Sequence, residues 1–587
     1  MENAQVVFVD VAFDVDDGLP VRVSPAEMPD QTGPQNTLEG GLCGWRGKGP
    51  PRKVRGIGCE KPFADGGGLC SPGRWAPENR RFPGFPADLL RDVLLDEYRR
   101  ILHPRRDGAT DPTAMTFRIA AGVYNDNPFS GDDMERIRGI VKKHLGLHCD
   151  QCGVAAGQSF RLEMFSELLR YFGDPDWAFF KELEQGVNIG VDCPMPRTPA
   201  VFEEKFSWRL EEWAGQEESE VANYRSIAGF EERVQQLFRE EEALGWMAEM
   251  SDEEARAKYG DNLYVAALGV VDEGEKIRVV HDGTHGVQIN HRIRPRDQIR
   301  CPSAGEIQEV LRGLRERGSK GFALMGDASK AHRRIKVREE DWGYQACRTQ
   351  PGRLWLNKVG TYGIASAAYF WSRFAAGAMV RLVHYLIGRW MLEILLCSDD
   401  FLWVALTKQG VELLGFIVAF FAALGVEFKW AKFRGGTEGP WIGYWVDIRG
   451  FQLGLSEKRA SWLTGWLRQR INEAVVDMDD FRAVLGRLGF ALAPLEHIRP
   501  FTAPLFAWAA AVAHRGQMRI PWSILFIFAY LADLLEGNGR LSTVYPRGKC
   551  LGDAFRADAK ADGAVSLGWG MGIPRREATT RLMLVRS

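Results

Sequence analysis

The chain has 587 residues, 45% hydrophobic and 26% charged, a globular composition too long for one ordinary core. Its net charge of -2, from 75 basic and 77 acidic residues, excludes a globally basic coat, so any nucleic-acid surface must be local. The start carries no basic segment followed by an apolar one, and the longest apolar runs, 413–426 and 520–532, fall short of the ~18 residues of a membrane span, so an intracellular protein with no membrane partner is expected.

Residues 1–85 are rich in Gly and Pro (KGPPRK, ADGGGL, FPGFP) and are predicted to be a disordered leader. The ten cysteines lack the spacing of a disulfide scaffold and read as reduced thiols; Cys43, Cys59 and Cys70 are irregularly placed in the leader. From Ala87 apolar residues recur at three- and four-residue steps, and similar patterns at 133–145, 158–172, 176–186 and 230–249 predict a helical N-terminal extension over 86–250. The proline-containing stretch 190–208 interrupts it as an extended connector. His144, His148, Cys149 and Cys152 are zinc-ligand types, but all four crowd into nine residues, unlike a finger built from two halves.

Around Leu263 the pattern turns to short β-rich runs alternating with helices, and helices dominate again from about Trp466 to Glu536. Two segments here carry chemistry. GFALMGDASKAHRR is an apolar strand ending in Asp327, and MLEILLCSDDFLWVAL places Asp399 and Asp400 between two apolar strands. Adjacent carboxylates at a hairpin tip repel each other, and a cation relieves that cost. Phosphodiester synthesis by two hard divalent ions needs such carboxylates converging from separate segments. Taken alone, the Asp pair also fits an exposed turn joining two strands.

The order of the neighbouring segments resembles the reverse transcriptases of retroelements, over roughly residues 250–540. EKIRVVHDGTHGVQIN resembles the fingers hairpin, which implies that Arg278, four before Asp282, contacts the triphosphate, with Lys276 as a second contact. GDASKAHRR resembles the first palm motif and TYGIASAAYFWSR the nucleotide-binding glycine motif, which implies a place for Gly363 near the incoming base. CSDDF resembles the paired-aspartate hairpin, LGVEFKWAKFRGG the lysine-bearing turn with Lys432 as proton donor to pyrophosphate, and WIGYWVD the primer grip, through Trp441 and Gly443. The flavour is nearest the DIRS-like or pararetrovirus-like elements.

The resemblance implies an α+β right-hand polymerase: fingers 251–320, palm 321–475, helical thumb 476–545 and a truncated ribonuclease H-like remnant 546–587, whose first carboxylate would be Asp558. It implies an RNA-directed DNA polymerase taking dNTPs and a primed RNA or DNA template, with two Mg2+ ions (or Mn2+) on Asp327, Asp399 and Asp400. The sequence departs from the family where Cys397-Ser398 precede the Asp pair, where Thr361-Tyr362 lead into Gly363, and where His332 takes the place of the aromatic that excludes a ribose hydroxyl. An RNA-dependent RNA polymerase and a decayed nucleic-acid-binding remnant stay open as alternatives. The nineteen tryptophans sit in apolar contexts and are predicted to be core, while the basic clusters 292–300 and 333–338 flank the proposed palm and suggest phosphate contact.

Overall fold

The computed structural model describes residues 87–103, 110–148, 154, 157–199, 203–205, 208, 210, 218–274, 276–298, 301–495, 498–512 and 516–546. The leader 1–85, the cysteines of the zinc reading and the tail with Asp558 lie outside these residues. Among the described residues no helix is long and apolar enough to cross a membrane.

The N-terminal extension is helical, as expected, with α1 (Ala87–Leu102), α2 (Pro112–Ala120), α3 (Gly131–Leu145) and α4 (Leu162–Tyr171). Asp111 caps α2 through the Ala114 amide, and Ser130 with Asp133 forms a capping box on α3. These helices pack mainly on the palm. Their apolar faces join one core with the palm side chains Phe416, Phe420 and Trp403. Two buried acids of the loop after α4 lock this layer: Asp174 takes a two-pronged bond from Arg381 (2.6 and 3.1 Å), and Asp176 one from Arg373 (3.0 and 2.7 Å).

The fingers sheet contains β1 (Val265–Asp272) and β2 (Ile277–Asp282), a hairpin, beside strands Ala346–Gln350, Arg353–Asn357 and Met247–Ser251. Helix α5 (Glu231–Ala243) covers it through Val234 and Phe238. The expected boundary at 250 therefore falls inside the fingers sheet, and 346–357, expected in the palm, returns to it. Sequence order hid this because the chain leaves the fingers for Asp327 and comes back.

The palm sheet runs in the order β6-β3-β5-β4, all antiparallel: β3 (Phe322–Asp327), β4 (Leu392–Cys397), β5 (Asp400–Ala405) and β6 (Arg434–Gly436). Alternate residues of β5 face two different cores: Phe401 and Trp403 one, Leu402 and Val404 the other. Burial on both faces is why these strands read as continuous apolar runs rather than as alternation. A helical rod, α6 (Ala365–Ser372) with its π-helical and α-helical continuations to Leu386, and helix α7 (Lys408–Ala423) lie against the sheet.

A second sheet holds β7 (Glu438–Trp441), β8 (Tyr444–Asp447), β9 (Gln452–Leu455) and β10 (Leu541–Thr543). Between β9 and β10 the thumb is an independent core of α8 (Glu457–Glu473), α9 (Met478–Ala491), α10 (Arg499–Ala511) and α11 (Trp522–Glu536). α8, expected at the end of the palm, belongs to the thumb, because its Leu463 and Leu467 pack into that core. The whole is an α+β fold in three parts, in the order of the fingers, palm and thumb that the resemblance implies.

Candidate active site

Asp327 ends β3 and Asp400 begins β5, and the register sets these two residues directly opposite each other. Asp399 occupies the two-residue turn between β4 and β5, where Ser398 takes a positive φ of 56°. The turn is held from two sides. The Ala328 amide donates to the Asp399 carbonyl at 3.0 Å, and Trp371 Nε1 of α6 donates to the Ser398 carbonyl at 2.7 Å. Thus the glycine-motif helix fixes the carboxylate turn.

The electrostatics are unfavourable without a cation. Burial, then the charges of Asp399 and Asp327, push the Asp400 carboxyl up to about 8. Burial and Asp399 also push Asp327 up, against Lys429 and Lys432. Lys429 Nζ lies 2.9 Å from the Asp327 carboxylate and Lys432 Nζ 3.2 Å from it. Lys429 is anchored by its own amide, which donates to the Asp327 carbonyl at 2.9 Å. Among the described residues no three His, Cys, Asp or Glu side chains are already gathered as a metal cage. The donor set is nonetheless all carboxylate oxygen, which suits a hard divalent ion, and the raised carboxyls fit one.

On the fingers hairpin Arg278 lies opposite Val271 and pairs with Glu273 at 2.9 Å, and Lys276 is exposed beside the tip. Asp282 has a different job. Burial pushes its carboxyl up, but bonds from His285 and Tyr224 outweigh that and hold it down at about 2. The Thr284 and His285 amides also donate to it, so it fixes the turn after β2.

Gly363 has φ +101°, and a Cβ there would stand 1.7 Å from the His281 carbonyl. The residue must be glycine because the fingers backbone passes over it. Asn290 Nδ2 donates to the Gly363 carbonyl at 2.6 Å and tightens that crossing. His332 is half-buried, its ring centroid 5.1 Å from that of Tyr362, and burial lowers its pKa to about 4, so the imidazole is neutral near pH 7. Burial, then Asp399, push the Tyr362 phenol up to about 12.

Several expected contacts are corrected. Trp441 is buried in the core of the second sheet, so its side chain is closed to a primer; only the turn at Gly443, φ +85°, is partly exposed. The 333–338 cluster is not an open phosphate surface: Arg333 pairs with Glu241, Arg334 with Glu427 and Arg338 with Asp341. Tryptophans 355, 371, 403 and 441 are fully buried, as expected, whereas Trp522 and Trp390 are exposed. His144 bonds the Tyr171 hydroxyl at 3.1 Å. Tyr362, which in sequence marks only a departure before Gly363, stands at the site, and so does Lys429, which no motif singles out. The only signal for Lys429 was its place three residues before Lys432.

No protein-family model matches the sequence, and no curated protein matches it. Among solved structures the chain is similar to the foamy viral protease-reverse transcriptase. The form called dRH, in complex with double-stranded DNA, gives a TM-score of 0.43 at 12% identity, covering 60% of this chain and 55% of that one. The complex with an RNA/DNA hybrid gives 0.41 at 11%, covering 70% and 47%, and that with double-stranded DNA 0.41 at 12%, covering 70% and 73%. The chain thus spans about half the length of the first two. At these scores the chemistry has to be read from the site itself.

Proposed function

We propose that this protein is a template-directed nucleotidyltransferase, an RNA-directed DNA polymerase of the retroelement kind. The observation that carries this reading is the meeting of Asp327, Asp399 and Asp400 at the ends of adjacent buried strands, where their charges oppose one another. Nothing in the packing requires three acids there, and a protein without a use for them would be more stable with neutral residues.

Two Mg2+ ions held by Asp327 and Asp399, with Asp400 beside them, would supply the Lewis acidity that activates a primer hydroxyl and steadies the leaving group. The protein's own groups do the rest. Lys429 and Lys432 stand on the Asp327 carboxylate, and Lys432 is the group that would give a proton to pyrophosphate. Arg278 and Lys276 on the hairpin receive the triphosphate. Tyr362 and the neutral His332 form an aromatic wall against the sugar, and Gly363 lets the fingers close on it. The Ile442–Gly443 turn takes the place of the primer contact.

A second reading, a nucleic-acid-binding protein without catalysis, has one observation in its favour: two ammonium groups already stand on Asp327. Extension of a DNA primer on an RNA template, with Mg2+ and dNTPs, separates the two. The polymerase reading expects extension in the wild type and at least about a thousandfold less in Asp399→Asn. No extension, with primer–template binding retained, favours the binding protein, and extension with rNTPs alone favours an RNA polymerase.

A further inference from the structure

The strand end that carries the Asp pair also holds a group that the chemistry above leaves idle. Cys397 is the last residue of β4, two before Asp399 and opposite Asp400 in the strand register. Alternation along β4 sets Ile394 and Leu396 toward one core, and Leu395 and Cys397 toward the other. That second core also takes Ala304 and Ile307 from the helix Ala304–Glu316, which leads into β3. Ser303 and Glu306 form a capping box at the start of this helix, so the chain just before it is held in place. Cys301 lies two residues before that cap, and its thiol is within hydrogen-bond reach of the Cys397 thiol.

The surroundings of the pair decide what it can do. Both thiols are free, Cys301 exposed and Cys397 half-buried. Two neighbouring thiols can hold a soft metal or close a disulfide. A soft metal takes three or four protein ligands, and among the described residues no third His, Cys, Asp or Glu completes such a cage. Oxidation is the chemistry left to them. An accessible thiol beside a more enclosed one is the arrangement of an attacking cysteine and its resolving partner.

We propose that Cys301 and Cys397 are a redox-modification site, closed to a disulfide by a small-molecule disulfide oxidant, and that closure disables the carboxylate turn. The Cys301 thiolate attacks one sulfur of the oxidant and releases a first small thiol, leaving a mixed disulfide on Cys301. The Cys397 sulfur then attacks Cys301, forms the Cys301–Cys397 bond and releases the second. Two protons and two electrons pass from the protein to the oxidant, which ends as two thiols, and a reducing thiol reverses both steps.

A covalent bond holds the sulfurs closer than a hydrogen bond does, so closure draws the strand end toward the loop before the helix. A metal constellation tolerates only about 0.5 Å of displacement, and Cys397 shares its strand end with Asp399 and Asp400. The loss of cation binding rests on the reading of these carboxylates as a metal site; the disulfide does not.

The test treats the native full chain with oxidised glutathione, maps its peptides by mass without reduction, and titrates the reduced and oxidised forms with Mn2+. A cross-link between the Cys301 and Cys397 peptides, lighter than the pair by two hydrogens, is expected in the wild type and absent from Cys301→Ser. That variant, at an exposed position, should fold as the wild type does. Oxidation should weaken Mn2+ binding about tenfold or more, a dithiol reductant should restore it, and Cys301→Ser should keep its binding through the same treatment. Glutathione left on Cys301 without a cross-link, or a cross-link that forms only in urea, overturns the thiol pair. Equal Mn2+ binding before and after cross-linking overturns its control of the turn. If the reduced chain binds no Mn2+, the metal-site reading fails instead, and the cross-link mass still decides the pair.

Discussion

Two clusters of acids among the described residues, one fully buried and one at the half-buried ends of the palm strands, are treated in opposite ways. Asp174 and Asp176, between the N-terminal layer and the palm rod, each face a guanidinium in two-pronged geometry, and Tyr385 adds a bond to Asp174 at 3.0 Å. Asp327, Asp399 and Asp400 face one another, and Lys429 and Lys432 stand on Asp327. The first group is charge-matched and holds two layers together. The second is left in conflict, and conflict maintained inside a well-packed sheet marks a place for a ligand.

The largest effect should come from breaking the matched group. Arg381→Met leaves Asp174 buried without its cation and should lower unfolding free energy by about 3–5 kcal/mol. Pairing it with Asp174→Leu should recover most of that in denaturant melts. Recovery would confirm that the cost lies in the stranded charge and not in lost packing.

Next in size is Gly363→Ala, because a Cβ would run into the His281 carbonyl. A loss of about 2–4 kcal/mol is expected in thermal or denaturant melts. A neutral outcome would mean that the fingers backbone can lift away from the site.

Asp282 sharpens the contrast from a third side, since its charge is stabilised by hydrogen bonds rather than by an arginine. Its folded pKa of about 2 is below the ordinary 3.8, so its contribution is complete above the ordinary value and is lost as pH falls toward 2. Relative to Asp282→Asn, the wild type should be more stable by about 2 kcal/mol at neutral pH. Melts taken between pH 4 and 2 should show that gap closing.

Asp400 has the reverse sign. Its folded pKa of about 8 is above the ordinary value, so stability drains away as pH rises from the ordinary value through 8. Asp400→Asn should therefore melt higher than the wild type at pH 8 in chelator, by roughly 1–2 kcal/mol once solvent screening of this half-buried carboxylate is allowed for, and show no gain below pH 4. Nucleotide incorporation should fall in the same variant. The smallest effect is expected from Lys429→Gln, which removes a competitor for Asp327 and should tighten divalent-ion binding by about threefold, or roughly 0.7 kcal/mol.

The conflicted group was legible in the sequence, and the matched one was not. Asp327, Asp399 and Asp400 stand at the ends of apolar runs, where strand periodicity alone places a charge at a tip. Arg373 and Arg381 lie within a helical pattern and Asp174 and Asp176 in a loop about two hundred residues earlier, and no local period links them. The same limit explains the domain edges. Strand 353–357 joins the fingers because Met247–Ser251 pairs with it, and α8 joins the thumb because it meets α11. Both are long-range choices that a local pattern does not carry. The 333–338 arginines misled for a related reason: a basic run reads as surface until Glu241 and Glu427 are seen beside it.

The most direct measurement is a titration of the purified chain with Mn2+, followed by electron paramagnetic resonance, for the wild type and Asp399→Asn. If the opposed carboxylates are a cation site, the wild type should bind divalent ions and melt higher as it fills, and the variant should lose both responses. No binding in the wild type, or equal binding in the variant, would contradict the account.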